Sequence, residues 1–203
     1  MNRPYRGIAL CASLWLGVCA ATTASAQSTS AGHASAAVPP AAPARSADSV
    51  QSAGPCGGFS WNVSHELALF ASTPTPGSAG TDVAQAPLLQ TNRLYELSLA
   101  PQEKVHYVVP PGKKALADGA SGGLIRFRVE SAGPWRIALD QPFWVDVVAD
   151  GKLIPARDFQ GRPGCEAPHK MVEFVLPAKQ DLLLQFSHAV NSRVRVTITA
   201  SAP

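Results

Sequence analysis

Short alternating runs dominate the chain from about residue 59 onward, and they predict strands. The clearest spans Trp135 to Ile154. Trp135, Ile137 and Leu139 alternate with Arg136 and Ala138, as in a strand with one buried face. A break at Asp140-Gln141-Pro142 precedes a second run, Phe143 to Val148. Asp150-Gly151 then signals a two-residue hairpin, because both central positions of a type I′ turn need positive φ. Lys152-Leu153-Ile154 starts the returning strand. Two linked turnbacks bearing Trp135 and Trp144 make this stretch the expected centre of an antiparallel core.

Further runs predict strands at Phe59–Val63, Leu94–Leu99, Val105–Val109, Leu124–Val129, Lys170–Leu176, Asp181–Ser187 and Val194–Ile198. In Leu124–Val129, Ile125, Phe127 and Val129 face inward while Arg126 and Arg128 face outward. Ser64–Phe70 suits a short helix, with Ser64 as N-cap and Glu66 in the first turn. Ser72–Pro87 reads as a long surface loop, and Arg157–His169 as a Pro/Gly-rich loop carrying Cys165. His188 falls at the end of a strand, beside the turn residues Ala189-Val190-Asn191. About eight or nine short strands at roughly 8–14-residue spacing, with no sustained helical period, predict an all-β fold: an antiparallel β-sandwich of jelly-roll or Greek-key type with one disulfide.

The first residues change the picture of where such a domain works. Arg3 and Arg6, the apolar run Gly7–Ala21 and the small-x-small site Ala24-Ser25-Ala26 match a secretory signal peptide over 1–26. A lipoprotein signal ending at Cys19 is the alternative, but bulky Val18 occupies a position that favours a small residue. Residues 27–53, rich in Ala, Ser and Pro, have too few large apolar side chains to offset their ordering entropy and read as a disordered tether. The β-sandwich domain is then 54–203, a size that suits one core. The expected location is periplasmic or secreted, with no transmembrane segment in the mature chain.

The 203-residue chain has a formal charge of +3, and a leader that carries Arg3, Arg6 and no acid leaves +1. That is no footprint for nucleic acid or anionic lipid. Of four cysteines, Cys11 and Cys19 go with the leader, leaving Cys56 and Cys165 as one pair in an oxidising compartment. Their bridge would close a loop of about 110 residues, nominally ~4–5 kcal/mol of chain entropy. Without CxxC spacing, the pair makes a poor metal or redox motif.

Two resemblances follow from quoted stretches. Leu124–Gly133, Trp135–Asp140 and Val145–Val148 resemble the strand-Ala-Gly-strand rhythm of bacterial pre-peptidase C-terminal-type sandwiches. The resemblance implies a small secreted jelly-roll module that binds, or accompanies an enzyme. Trp61–Glu66 (Trp-Asn-Val-Ser-His-Glu) and Asp158–Cys165 (Asp-Phe-Gln-Gly-Arg-Pro-Gly-Cys) look like paired patterns of uncharacterised bacterial exported proteins, some of them labelled homogentisate 1,2-dioxygenase. That enzyme family is much longer and uses a cupin metal site, which has no counterpart in this sequence.

Candidate chemistry is sparse. His65, Glu66 and His169, with Glu166 nearby in sequence, form a conceivable iron or zinc site if a Cys56–Cys165 bridge gathers them. Adjacent His65 and Glu66 diverge, however, and no HxH or HExxH pattern is present. There is no GxSxG elbow, and Asp146 and Asp150 are a weak carboxylate pair. Trp61, Trp135 and Trp144 either pack in the core or form a sugar-stacking platform. Phe143 and Trp144 are consecutive, so one must face away from the core. The loop residues Asp158, Phe159, Arg162 and His169 join Phe143 and Trp144 as the expected contact surface. The sequence therefore predicts an exported, non-catalytic binding or accessory module without cofactor, whose partner is an envelope protein or a glycan. The alternative is a small metal-dependent enzyme, dioxygenase-like or hydrolytic, using His65, Glu66 and His169.

Overall fold

The alternating segments pair into two sheets whose facing sides share one apolar core. The computed structural model describes residues 58–113, 118–165 and 167–201. The expected leader, the tether over 27–53, Cys19 and Cys56 lie outside the described residues, as does Glu166. Among the described residues are one helix, α1 (Ser64–Phe70), a 3-10 turn at Gln102–Lys104, and twelve strands. The first six strands are β1 (Thr75–Ser78), β2 (Leu88–Leu89), β3 (Tyr95–Ser98), β4 (Ala100–Pro101), β5 (Ser121–Phe127) and β6 (Gly133–Leu139). The others are β7 (Trp144–Ala149), β8 (Lys152–Ile154), β9 (Ala156–Gly161), β10 (Lys170–Leu176), β11 (Leu182–Ala189) and β12 (Arg193–Ala200). No helix among the described residues is long and apolar enough to cross a membrane.

Sheet A runs β1-β3-β12-β6-β10-β9, and sheet B runs β2-β5-β11-β7-β8 with β4 also on β5. Ile137, Leu139, Val172, Phe174, Val194 and Val196 of sheet A meet Ile125, Phe127, Val145, Val147, Leu184 and Phe186 of sheet B in one cluster. Each such fully buried side chain contributes about 1.5–3 kcal/mol. Both outer faces are also covered. Phe59, Val63, Phe70, Leu94, Ala138 and Met171 pack on the outside of sheet A. Ala86, Val105, Leu124, Val148 and Leu183 pack on the outside of sheet B.

The all-β expectation holds, and several finer expectations do not. The sheets are mixed rather than purely antiparallel, because β1 runs parallel to β3 and β2 parallel to β5. Within Ser72–Pro87, read as loop, Thr75–Ser78 forms an edge strand, the place where prolines such as Pro76 are tolerated. There are more strands than the predicted eight or nine because short edge pieces of two to four residues lack any readable alternation. β6 and β7 are not partners: the Asp140–Phe143 corner carries the chain from sheet A to sheet B. Phe59–Val63 is no strand, since its alternation only reflects one side lying on sheet A. Residues 157–161 of the expected loop belong to β9, which pairs with β10.

Three turns show the local chemistry. Asp150 and Gly151 have φ of 49° and 71°, and Ala149 pairs with Lys152, the hairpin geometry that Asp-Gly favours. Helix α1 starts at Ser64, but Ser64 is not its cap. Asn62 Oδ1 instead accepts from the Ser64 amide (3.2 Å) and hydroxyl (2.8 Å). His188 lies inside β11, buried and at φ 58°, where the β11–β5 register shifts.

Candidate functional site

The candidate site starts from a mismatch in strand length. β8 is three residues long and pairs only with Val147, Val148 and Ala149, so the Trp144–Asp146 part of β7 has no β8 neighbour. The chain crosses at Pro155 into the longer β9. Phe159 pairs with Val172, which points into the core, so Phe159 also faces the space between the sheets. With no β8 residue opposite, its ring stays 67% exposed. The result is a notch of about 140 Å³ lined by Trp144, Val145, Ala156, Phe159, Lys170 and Val172.

Polar groups fix the notch at one end. Val145 and Val147 are core residues, so Trp144 and Asp146 project from the outer side of β7. The Trp144 indole Nε1–H donates to both Asp146 carboxylate oxygens, at 3.0 and 3.1 Å. Gly112 N–H donates to Asp146 Oδ2 at 3.0 Å. A Cβ on Gly112 would stand 3.0 Å from Asp146 Oδ1 and 3.3 Å from the indole, so any larger residue would push this pair by a few tenths of an ångström. Lys170 Nζ donates to the Phe143 carbonyl (2.9 Å) and lies 5.5 Å from the centre of the Trp144 ring. Burial pushes the Lys170 pKa down, the nearby Lys113 charge pushes the same way, and Asp146 opposes both.

The expected strand Val105–Val109 is instead a strap over the outside of sheet B. Gln185 takes the place of a strand partner. Its Oε1 accepts from the Val108 and Val109 amides (2.9 and 3.3 Å), and its Nε2 donates to the Val109 carbonyl (3.0 Å). Tyr107 Oη–H donates to the Phe186 carbonyl at 2.8 Å. Burial, helped by the Asp146 charge, drives its pKa well above the usual phenol value.

The structure brings together two of the residues singled out for binding, Trp144 and Phe159. Phe143 does not present a surface: its side chain is 1% exposed in the core, and only its carbonyl reaches the notch. Asp158 is exposed and accepts from the Phe159 amide at 2.7 Å. Arg162 stacks over the Phe59 ring at 5.0 Å. His169 Nδ1 lies 3.0 Å from the Cys165 carbonyl, in a separate polar depression lined also by Asp140, Gln141 and Asn191. Burial raises the Asp140 pKa, and Arg195, whose amide and Nε donate to it at 2.9 and 3.2 Å, only partly offsets this. Sequence reasoning missed Lys170 and weighed Asp146 only as a carboxylate partner of Asp150. Trp144-x-Asp146 carried a signal for Asp146, since residues two apart on a strand share a face.

The proposed metal ligands go separate ways. His65 Nε2 is exposed and meets Asn92 Oδ1 at 3.1 Å. Glu66 turns inward, where Oε1 accepts from Thr199 Oγ1 at 2.8 Å and lies 3.7 Å from Arg136 Nη1. Adjacent helical residues diverge by about 100°, which separates the pair. Among the described residues no three His, Cys, Asp or Glu side chains converge as a metal site would require. Glu66 belongs instead to a network around Arg136, which is 4% exposed. Arg136 donates to the Asn62 carbonyl (2.8 Å) and, through Nε, to Glu173 Oε2 (3.4 Å), and it stacks on Trp61 at 4.7 Å. Trp61 is thereby engaged with Arg136, and Trp135 is a core residue with its indole N–H on the Ser131 carbonyl. The three-tryptophan platform does not form.

The residues just before the first sequence pattern meet the second. Ser60 and the Gln160 side-chain amide hydrogen-bond each other twice, and Phe59 lies under Arg162. This is an all-β protein of two mixed sheets with an aromatic notch at one edge. No protein-family model matches the chain, and no curated protein matches it.

Proposed function

We propose that the chain is an exported, non-catalytic binding module of jelly-roll type that acts at a bacterial envelope through the Trp144–Phe159 notch. One observation carries this reading. Two large aromatic side chains, 36% and 67% exposed, flank a single apolar cavity that the core does not fill. The jelly-roll assignment draws support from strand order. β3-β12-β6-β10 faces β5-β11-β7-β8, and the chain changes sheet at each step from β5 to β7 and again from β10 to β12. Export draws on the leader pattern of residues 1–26.

A Cys56–Cys165 bridge belongs to the same reading. Cys165 is buried, and the Phe59–Arg162 and Ser60–Gln160 contacts tie residues 59 and 60 to the segment just before it. The rival metalloenzyme, with one iron or zinc on His65, Glu66 and His169, has no comparable support, because each of those side chains is engaged elsewhere.

The test is co-sedimentation of the mature protein with isolated bacterial envelope fragments. The wild type should pellet with them. A Trp144→Ala/Phe159→Ala double variant should stay in solution while keeping its circular dichroism spectrum. Equal pelleting of both proteins would overturn the proposal.

A further inference from the structure

We infer that the notch takes one carboxylate-bearing sugar ring, a uronic acid residue of an envelope polysaccharide. This inference rests on the binding-module reading above and narrows it to a ligand class. The first argument is size. At about 140 Å³ the notch is well below the 300–1,000 Å³ typical of sites that enclose a drug-sized ligand. It has room for one ring of a longer chain, beside Trp144 and Phe159.

Charge gives the second argument. Lys170 Nζ lies 5.5 Å from the Trp144 ring, Lys113 follows Gly112, whose amide donates to Asp146, and the charges of Lys113 and Asp146 both act on Lys170. Both Asp146 oxygens already accept from the Trp144 indole, and one also accepts from Gly112. The site therefore has an excess of positive charge beside an apolar cavity, and a ligand carboxylate would balance it. Lys170 is also equipped to bind. An ammonium has three donors, and among the described residues its one hydrogen bond goes to the Phe143 carbonyl.

The same hydrogen bond disfavours an extended peptide adding to the free part of β7. An incoming strand needs main-chain acceptors, and the Phe143 carbonyl at the mouth is occupied by Lys170. A ring that stacks on the aromatic walls and offers its carboxylate to Lys170 needs no such acceptor.

The experiment is a titration of mature protein, followed by tryptophan fluorescence, with tetragalacturonate and with neutral maltotetraose. Tetragalacturonate should bind and maltotetraose should not, and Lys170→Gln should weaken binding about tenfold, the loss of one charge-assisted contact. Exposed Lys113→Gln, which removes no packing, should weaken it less and reduce its salt dependence. If both sugars bind equally in wild type and Lys170→Gln, the acidic class is wrong while the notch remains a binding site. The same holds if neither sugar binds but envelope pelleting still depends on Trp144 and Phe159. Preferential binding of an acidic extended peptide would overturn the sugar assignment outright.

Discussion

Individual side chains divide into anchors and contacts, and burial separates them. Glu66 looked like half of a metal ligand pair because it follows a histidine, but it is a buried anchor between Thr199 and Arg136. Its replacement leaves Arg136 with less countercharge in an apolar setting, and breaking a buried pair costs about 3–5 kcal/mol when one partner is removed. Glu173 still faces Arg136, so Glu66→Ala should lose about 3 kcal/mol, measured by urea denaturation. A loss below about 1 kcal/mol would show that the anchor is not structural. Trp144 was legible from sequence because consecutive aromatics on a strand cannot both be buried on one side. Lys170 was not, because its role depends on β10 beginning at the mouth of the notch, and strand ends are not fixed by local alternation.

At the scale of elements, alternation located every strand of seven or more residues and β7, but it missed β9 and could not say which segments pair. Val105–Val109 alternates as well as any strand, yet it lies across sheet B because Gln185 supplies the hydrogen bonds of an absent neighbour. Nothing in residues 105–109 points to a glutamine some 76 positions away. Removing it should free the strap. Gln185→Ala removes the partner of three part-buried main-chain groups, so hydrogen exchange at the Val108 and Val109 amides should rise at least tenfold, with a stability loss of about 1 kcal/mol. Unchanged protection would mean that the strap is held by Tyr107 and the apolar contacts of Val105 alone. Asp150-Gly151 is the opposite case. Its turn was fully readable, because the requirement for positive φ is local to two residues.

For the whole molecule, composition and short spacing were enough for an all-β class. The mixed sheets, and the transfer of the chain from sheet A to sheet B between β6 and β7, were not legible. Topology of that kind depends on which apolar faces meet, and every candidate strand offers a similar face. The notch is a product of this topology: a three-residue β8 beside a six-residue β9 leaves part of β7 open, and neither length was readable beforehand. Sequence patterns did find Trp144 and Phe159 one at a time, and the fold sets them around one cavity. If this cavity is the contact surface, two-dimensional NMR of the protein with and without solubilised bacterial polysaccharide should show shifts concentrated at the Trp144 indole N–H, Phe159, Lys170 and Gly112. Shifts concentrated instead at the Asp140–His169 depression would place the contact surface elsewhere.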